Sequence, residues 1–255
     1  MRWPTLGPRP RFVATDRLLA ILGLISEREG YEPHAGTLCH VAAAVTELDG
    51  AAIALVSPGP QYTGLCTTDE VAAKLLDVEL TLGEGPTIDA CSSDGVVEDS
   101  SLHSPDPSRW MAYASLAKTA GAHAVFAFPV RTGAVRIGAL CLYRDAPGDL
   151  TSAQSADGYL MASVVGRAVL SMQAGAAEGS LAATLERDSS FDFTVQQAAG
   201  MVAIQGAMSV GDALVALRSH AFCSDTSLAD LSQRVVARRT YLDPKTKEWL
   251  DENFG

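Results

Sequence analysis

Arg218, His220, Arg234, Arg238 and Arg239 are the side chains in this chain whose types and spacing best suit binding chemistry. Arg234 and Arg238 are four apart and share a helix face, and Arg239 lies beside them. A guanidinium group pairs bidentately with phosphate and stacks on a splayed base, which suits the loop of a nucleic-acid hairpin. The same arginines also read as surface residues that compensate a helix dipole. His220 reads equally as a packed or capping histidine and as a stacking one, and for Tyr241 packing on the bundle is the simpler role. Between Asp188 and Asp243 there are four arginines against six aspartates, so the segment is net acidic. Local distribution, not total charge, must carry any attraction to phosphate.

Catalytic patterns are lacking. There is no Gly-x-Ser-x-Gly elbow, no phosphate-cradling Gly-x-x-x-x-Gly-Lys loop and no His-Glu-x-x-His pair, so no enzyme is expected. Asp99, His103 and Ser104 crowd one segment, but closeness in sequence is not a triad. The five cysteines, Cys39, Cys66, Cys91, Cys141 and Cys223, are scattered and odd in number. That spacing argues for a reducing cytoplasm and against a disulfide framework or a zinc site. His34 and His40, six apart, are poorly spaced as metal ligands, so no metal is expected. Cys91 and Cys141 could each hold a chromophore thioether, though a buried, inert thiol is the simpler reading. Gly83-Glu-Gly-Pro86 could aim amides at an anion; a tight turn is the plainer reading. Trp110, Tyr113, Phe126 and Phe128 are candidates for lining a ligand pocket, with ordinary core packing as the alternative.

Positioning these groups takes two kinds of element. The 255 residues carry 47% hydrophobic and 19% charged residues and a net charge of −11, a globular balance. No stretch reaches 18 uninterrupted apolar residues, so no membrane span is expected. The proline-rich start reads as a disordered arm over 1–14. Spacing predicts helices over 16–29 and from Pro33 to about Leu48, then strands over 51–57 and 61–67. A small helix over 70–76, a helical start over 87–91, a strand at 96–97 and a helix over 110–119 follow. The runs 123–130 and 135–143 flank a turn at Thr132-Gly133 and form a hairpin that is apolar on both faces, so helices must cover both. Thr151 and Gln154 form a capping box that opens a long helix. Together these make an α/β sandwich over 15–172. The segment 173–187 reads as a linker, with Leu181 and Leu185 as one turn of a connecting helix that could pair with a second chain. Capping patterns at Thr194, Ser209 and Ser227 then open three amphipathic helices within 188–243, followed by a tail over 244–255.

Two stretches resemble known families. Val195-Gln-Gln-Ala-Ala-Gly-Met-Val202, Gly206-Ala-Met-Ser-Val-Gly-Asp-Ala-Leu214, Leu217-Arg-Ser-His-Ala-Phe222 and Leu228-Ala-Asp-Leu-Ser-Gln-Arg-Val-Val-Ala-Arg-Arg239 look like an ANTAR domain, in order and with family spacing. The resemblance implies a homodimer whose two copies bind RNA stem-loops in nascent transcripts and prevent termination. It implies RNA-contacting roles for Gly200, Arg218, His220, Arg234, Arg238 and Arg239. One departure stands out: the family's Ala-Lys-Gly reads Ala198-Ala199-Gly200 here, so a basic contact is missing. Element order, Leu82-Gly-Glu-Gly-Pro86, Pro129-Val130 and Gly138-Ala-Leu-Cys-Leu142 resemble a GAF domain. That implies a central antiparallel sheet flanked by helices and a small-molecule effector of unassigned identity. The combined expectation is a cytoplasmic antitermination regulator of actinobacterial type: a GAF-like α/β (α+β) sensor, then an all-α three-helix bundle. The alternative keeps this fold and gives the bundle a protein or DNA partner.

Overall fold

Apolar residues run almost unbroken along β4 (Ala124–Thr132) and β5 (Val135–Arg144), so both faces of their sheet need cover. The computed structural model describes residues 14–29, 35–57, 61–103, 109–175 and 190–251. In it β1 (Gly50–Ser57), β2 (Gln61–Thr67), β3 (Val97–Asp99), β4 and β5 form one antiparallel sheet in the order β2-β1-β5-β4-β3. Strand periodicity sends successive side chains to opposite faces. Ile53, Leu55, Phe126, Phe128, Leu140 and Leu142 meet α1 (Ala14–Glu29), α2 (Ala35–Thr46) and α6 (Ser152–Gly175) on one side. Ala52, Ala54, Ala127, Ala139 and Cys141 meet α3 (Glu70–Leu82), α4 (Pro86–Ser92) and α5 (Met111–Ala120) on the other. The antiparallel sheet with helices on both faces is the architecture expected from the sequence.

The box expected at Thr151 opens α6: the Gln154 amide donates to Thr151 Oγ1 at 3.2 Å, and the Thr151 amide donates to Gln154 Oε1 at 3.0 Å. Gln154 Nε2 also reaches the Thr46 carbonyl, and Arg17 pairs with Asp157 at 2.9 Å, so α1, α2 and α6 are tied together. Helix α3 runs six residues beyond the expected Leu76 and ends at Gly83, whose left-handed φ of 72° glycine adopts freely. The reading stopped short because a glutamate, Glu79, occupies a core position and breaks the apolar pattern.

Beyond the sheet domain, α7 (Ser190–Gly206), α8 (Val210–Cys223) and α9 (Leu228–Val236) share a core that includes Val195, Val202, Leu214, Leu217, Leu231 and Val235. Ser209 and Ser227 cap α8 and α9 as expected, each accepting the amide three residues on. Thr194 does not cap: α7 starts at Ser190, so Thr194 lies inside it. The chain does not trail off at 244. A hairpin of β6 (Thr240–Leu242) and β7 (Trp249–Asp251) closes the bundle, and Lys247 Nζ donates to the Gly206 carbonyl at 2.6 Å.

The cysteine reading needs correction, because Cys39 on α2 is disulfide-bonded to Cys66 on β2. The two are 27 residues apart in sequence, and only the packing of α2 against β2 brings them together. The segments 1–13 and 176–189, with Leu181 and Leu185, and the residues His34 and Ser104 lie outside the described residues. Among the described residues no single helix is long and apolar enough to cross a membrane, and no group of His, Cys, Asp and Glu is arranged to hold a metal ion.

Candidate functional site

The arginine cluster foreseen on α9 is split by the fold. Arg234 Nη2 pairs with Asp251 Oδ1 at 2.6 Å, because β6 and β7 bring Asp251 back alongside α9. Thr240 Oγ1 donates to the same carboxylate oxygen at 2.6 Å, and this hydroxyl and Arg234 hold the Asp251 carboxyl below its usual range. Arg238 and Arg239 follow the last turn of α9. Both are exposed and make no ion pair among the described residues. Arg238 sits at a φ of 57°, which turns the chain out of the helix into β6. Two unpaired guanidinium groups therefore remain of the three expected in this cluster.

His220 stacks on Trp249, with ring centroids 4.5 Å apart. Burial lowers its pKa, against the opposing pull of Asp251. This is the packed arrangement, with one ring face already covered. An added Cβ at Gly200 would meet nothing within 4 Å, so packing does not require a glycine there. Ala199, where the resembling family has lysine, is fully buried in the bundle core. A lysine at that position would have to leave the core or turn the helix.

Arg218 faces α3 of the sheet domain. Its Nε donates to the Leu80 carbonyl at 3.1 Å, and its guanidinium lies against Gly83. Burial lowers its pKa. One residue along, Thr81 Oγ1 accepts the amide of Leu228, the first residue of α9, at 3.2 Å. Consecutive residues in the last turn of α3 thus hold both α8 and α9. Sequence reasoning missed this contact, since neither a backbone carbonyl nor a threonine hydroxyl carries a pattern that predicts a partner more than 130 residues away.

The neighbouring residue of that turn, Glu79, points the other way, toward the sheet, and is fully buried. Thr87 donates to it twice, from its amide at 2.7 Å and from its hydroxyl at 2.8 Å. The geometry follows from the Gly83-Glu-Gly-Pro86 turn, which sets the start of α4 against α3. Gly85, at a φ of 143°, is required there, because a Cβ would overlap the Glu79 side chain. Burial pushes the Glu79 carboxyl up to about 8, overcoming the hydrogen bonds that favour its charged form. Burial first, and Glu79 second, raise the Cys91 thiol to about 12 and the Cys141 thiol further, which is the inert state expected for both.

The four aromatic pocket candidates do not come together. Trp110 and Tyr113 pack on the α3–α5 face of the sheet, while Phe126 and Phe128 pack on the α1–α2–α6 face. Phe126 and Phe128, two apart on β4, share the face turned away from α5, so the sheet itself lies between the two pairs. The space enclosed by Ala52, Leu75, Leu76, Glu79, Thr87 and Cys141 leaves no room for a water molecule. His103, from the expected Asp99–His103–Ser104 crowd, stacks on His123 at 4.6 Å.

No protein-family profile and no curated protein matches the chain. Solved structures of similar shape include the GAF domain of a phosphoenolpyruvate-protein phosphotransferase from Acinetobacter. It has 14% identity and a TM-score of 0.48, over 65% of this chain and 98% of that one. The corresponding GAF domain from Coxiella burnetii gives 12% identity and a TM-score of 0.48, over 64% and 98%. A free methionine-R-sulfoxide reductase from Neisseria meningitidis gives 13% identity and a TM-score of 0.45, over 64% and 94%.

Proposed function

We propose that this protein is a signal-responsive regulator in which a GAF-like sensor holds an ANTAR-like helical module, and that the released module binds RNA stem-loops as a homodimer to prevent transcription termination. The observation that carries this reading is the grip of the last turn of α3 on the module, with Arg218 bonded to the Leu80 carbonyl and Leu228 to Thr81. Arg218 is one of the residues the ANTAR resemblance assigns to RNA, so the docked arrangement withholds it. Arg238 and Arg239 stay exposed beside the hairpin and supply the remaining phosphate contacts. A signal that favours the undocked arrangement then raises RNA affinity, because only a difference in affinity for the two arrangements can shift their populations.

The test is binding of the full chain to hairpin RNA, with Arg238→Ala/Arg239→Ala as the comparison. The expected result is a salt-dependent affinity for hairpins that the double substitution lowers at least about tenfold with thermal unfolding unchanged. Equal affinity in parent and variant refutes the assignment. A second reading, a protein partner for the module, is favoured by the exposed Ile204 (85%) and Val215 (60%) on α7 and α8. It predicts no affinity for either hairpin RNA or duplex DNA at low salt.

A further inference from the structure

The docked module and the sensor enclose a cleft of about 270 Å³, close to the lower end of small-ligand sites. Its walls are α3, the end of α5, and the junction of α8 with α9. Val78, Leu82 and Leu116 make one side apolar, and Phe222, 51% exposed, stands on the other.

The cleft is acidic on balance. Asp77 and Asp225 line it, against Lys74 alone among the lining residues. The carboxyl ends of α5 at Ala120 and α8 at Cys223 add partial negative charge, opposed by the amino end of α9 at Ser227. Asp77 is partly buried and makes no hydrogen bond or ion pair among the described residues. Burial first raises the Asp77 carboxyl above its usual range, with Lys74 opposing and Asp230 on α9, outside the cleft lining, adding like charge. A partly desolvated carboxylate without a hydrogen-bond partner is destabilised, and a cation beside it relieves that cost.

We propose that this cleft is a binding site for a small organic ammonium ion with an apolar or aromatic body. The ammonium group sits against Asp77 and Asp225, and Phe222 offers its ring face to the cation. The hydrocarbon body lies on Val78, Leu82 and Leu116. An organic anion of the same size meets two carboxylates and two helix carboxyl ends, and a neutral analogue leaves Asp77 uncompensated.

Calorimetric titration of the full chain with phenethylammonium, 2-phenylethanol and 3-phenylpropionate tests the site. The expected result is saturable binding of the ammonium ion at millimolar concentration or below, with the alcohol and the carboxylate at least about tenfold weaker. Asp77→Asn and Phe222→Ala each weaken the ammonium ion by a similar factor, while their unfolding transitions show them folded. The proposal is overturned if the alcohol or carboxylate binds as well as the ammonium ion, if none binds, or if both folded variants retain parental affinity. The readout needs no RNA, so its failure is distinguishable from failure of the proposed function.

Discussion

Replacing Glu79 with glutamine isolates the one fully buried carboxyl group among the described residues. The amide is nearly the shape of a protonated carboxyl. Its oxygen can still accept the Thr87 amide, and its nitrogen can donate to the Thr87 hydroxyl. Unfolded glutamate titrates near pH 4.3, whereas burial holds the folded group at about 8. Between those values the native state keeps a proton that the unfolded chain has lost. The parent therefore loses stability as pH rises through this window, by about 1.4 kcal/mol per pH unit, and levels off above pH 8. The variant has no such group. All other titrations are common to both proteins and cancel in the difference. Urea unfolding at pH 5.5, 6.5, 7.5 and 8.5 reads the effect. Glu79→Gln should lose steadily less stability than the parent as pH rises, with the gap growing by several kcal/mol across the series. A difference between the two proteins that does not change with pH would refute the claim that burial dominates at Glu79.

Two glycine substitutions give opposite signs. Gly158→Ala should destabilise by about 1–3 kcal/mol in denaturant unfolding, because its methyl group would overlap the ring of the fully buried Phe128, and the small gain in helix propensity does not offset that. Gly200→Ala should stabilise by about 0.5–1 kcal/mol, since its methyl group meets nothing and α7 gains a better helix former. If Gly200→Ala instead destabilises, the position has a packing role that its open surroundings do not provide.

The sheet and its cover were legible in the sequence because β4 and β5 are apolar on both faces, which forces helices above and below. The caps at Thr151, Ser209 and Ser227 were legible because a hydroxyl three residues ahead of a Gln or Asp is placed to accept that residue's backbone amide and has few other uses. The candidate site was less legible, since its state depends on long-range partners. Asp251 neutralises Arg234 only because a turn centred on residues 243–247 reverses the chain. Trp249 covers His220 for the same reason. Arg218 was identified as a binding residue, but what it binds here is a carbonyl of α3. The Cys39–Cys66 bond was hidden because cysteine spacing carries no information on which helix packs on which strand.

Restraint of the helical module by the last turn of α3 is what the proposed regulation requires. Gly83→Asn addresses it directly. Asparagine tolerates the left-handed conformation that this cap needs, and its Cβ would sit 2.9 Å from Arg218 Nη1, so the guanidinium must shift in its seat against α3 and its hold there is loosened. The substitution is neutral and adds no charge of its own. Hairpin-RNA affinity of the full chain, measured across salt concentrations, should rise at least about fivefold, with a steeper salt dependence as Arg218 joins the contact. Unchanged or weaker binding by the folded variant would contradict the account.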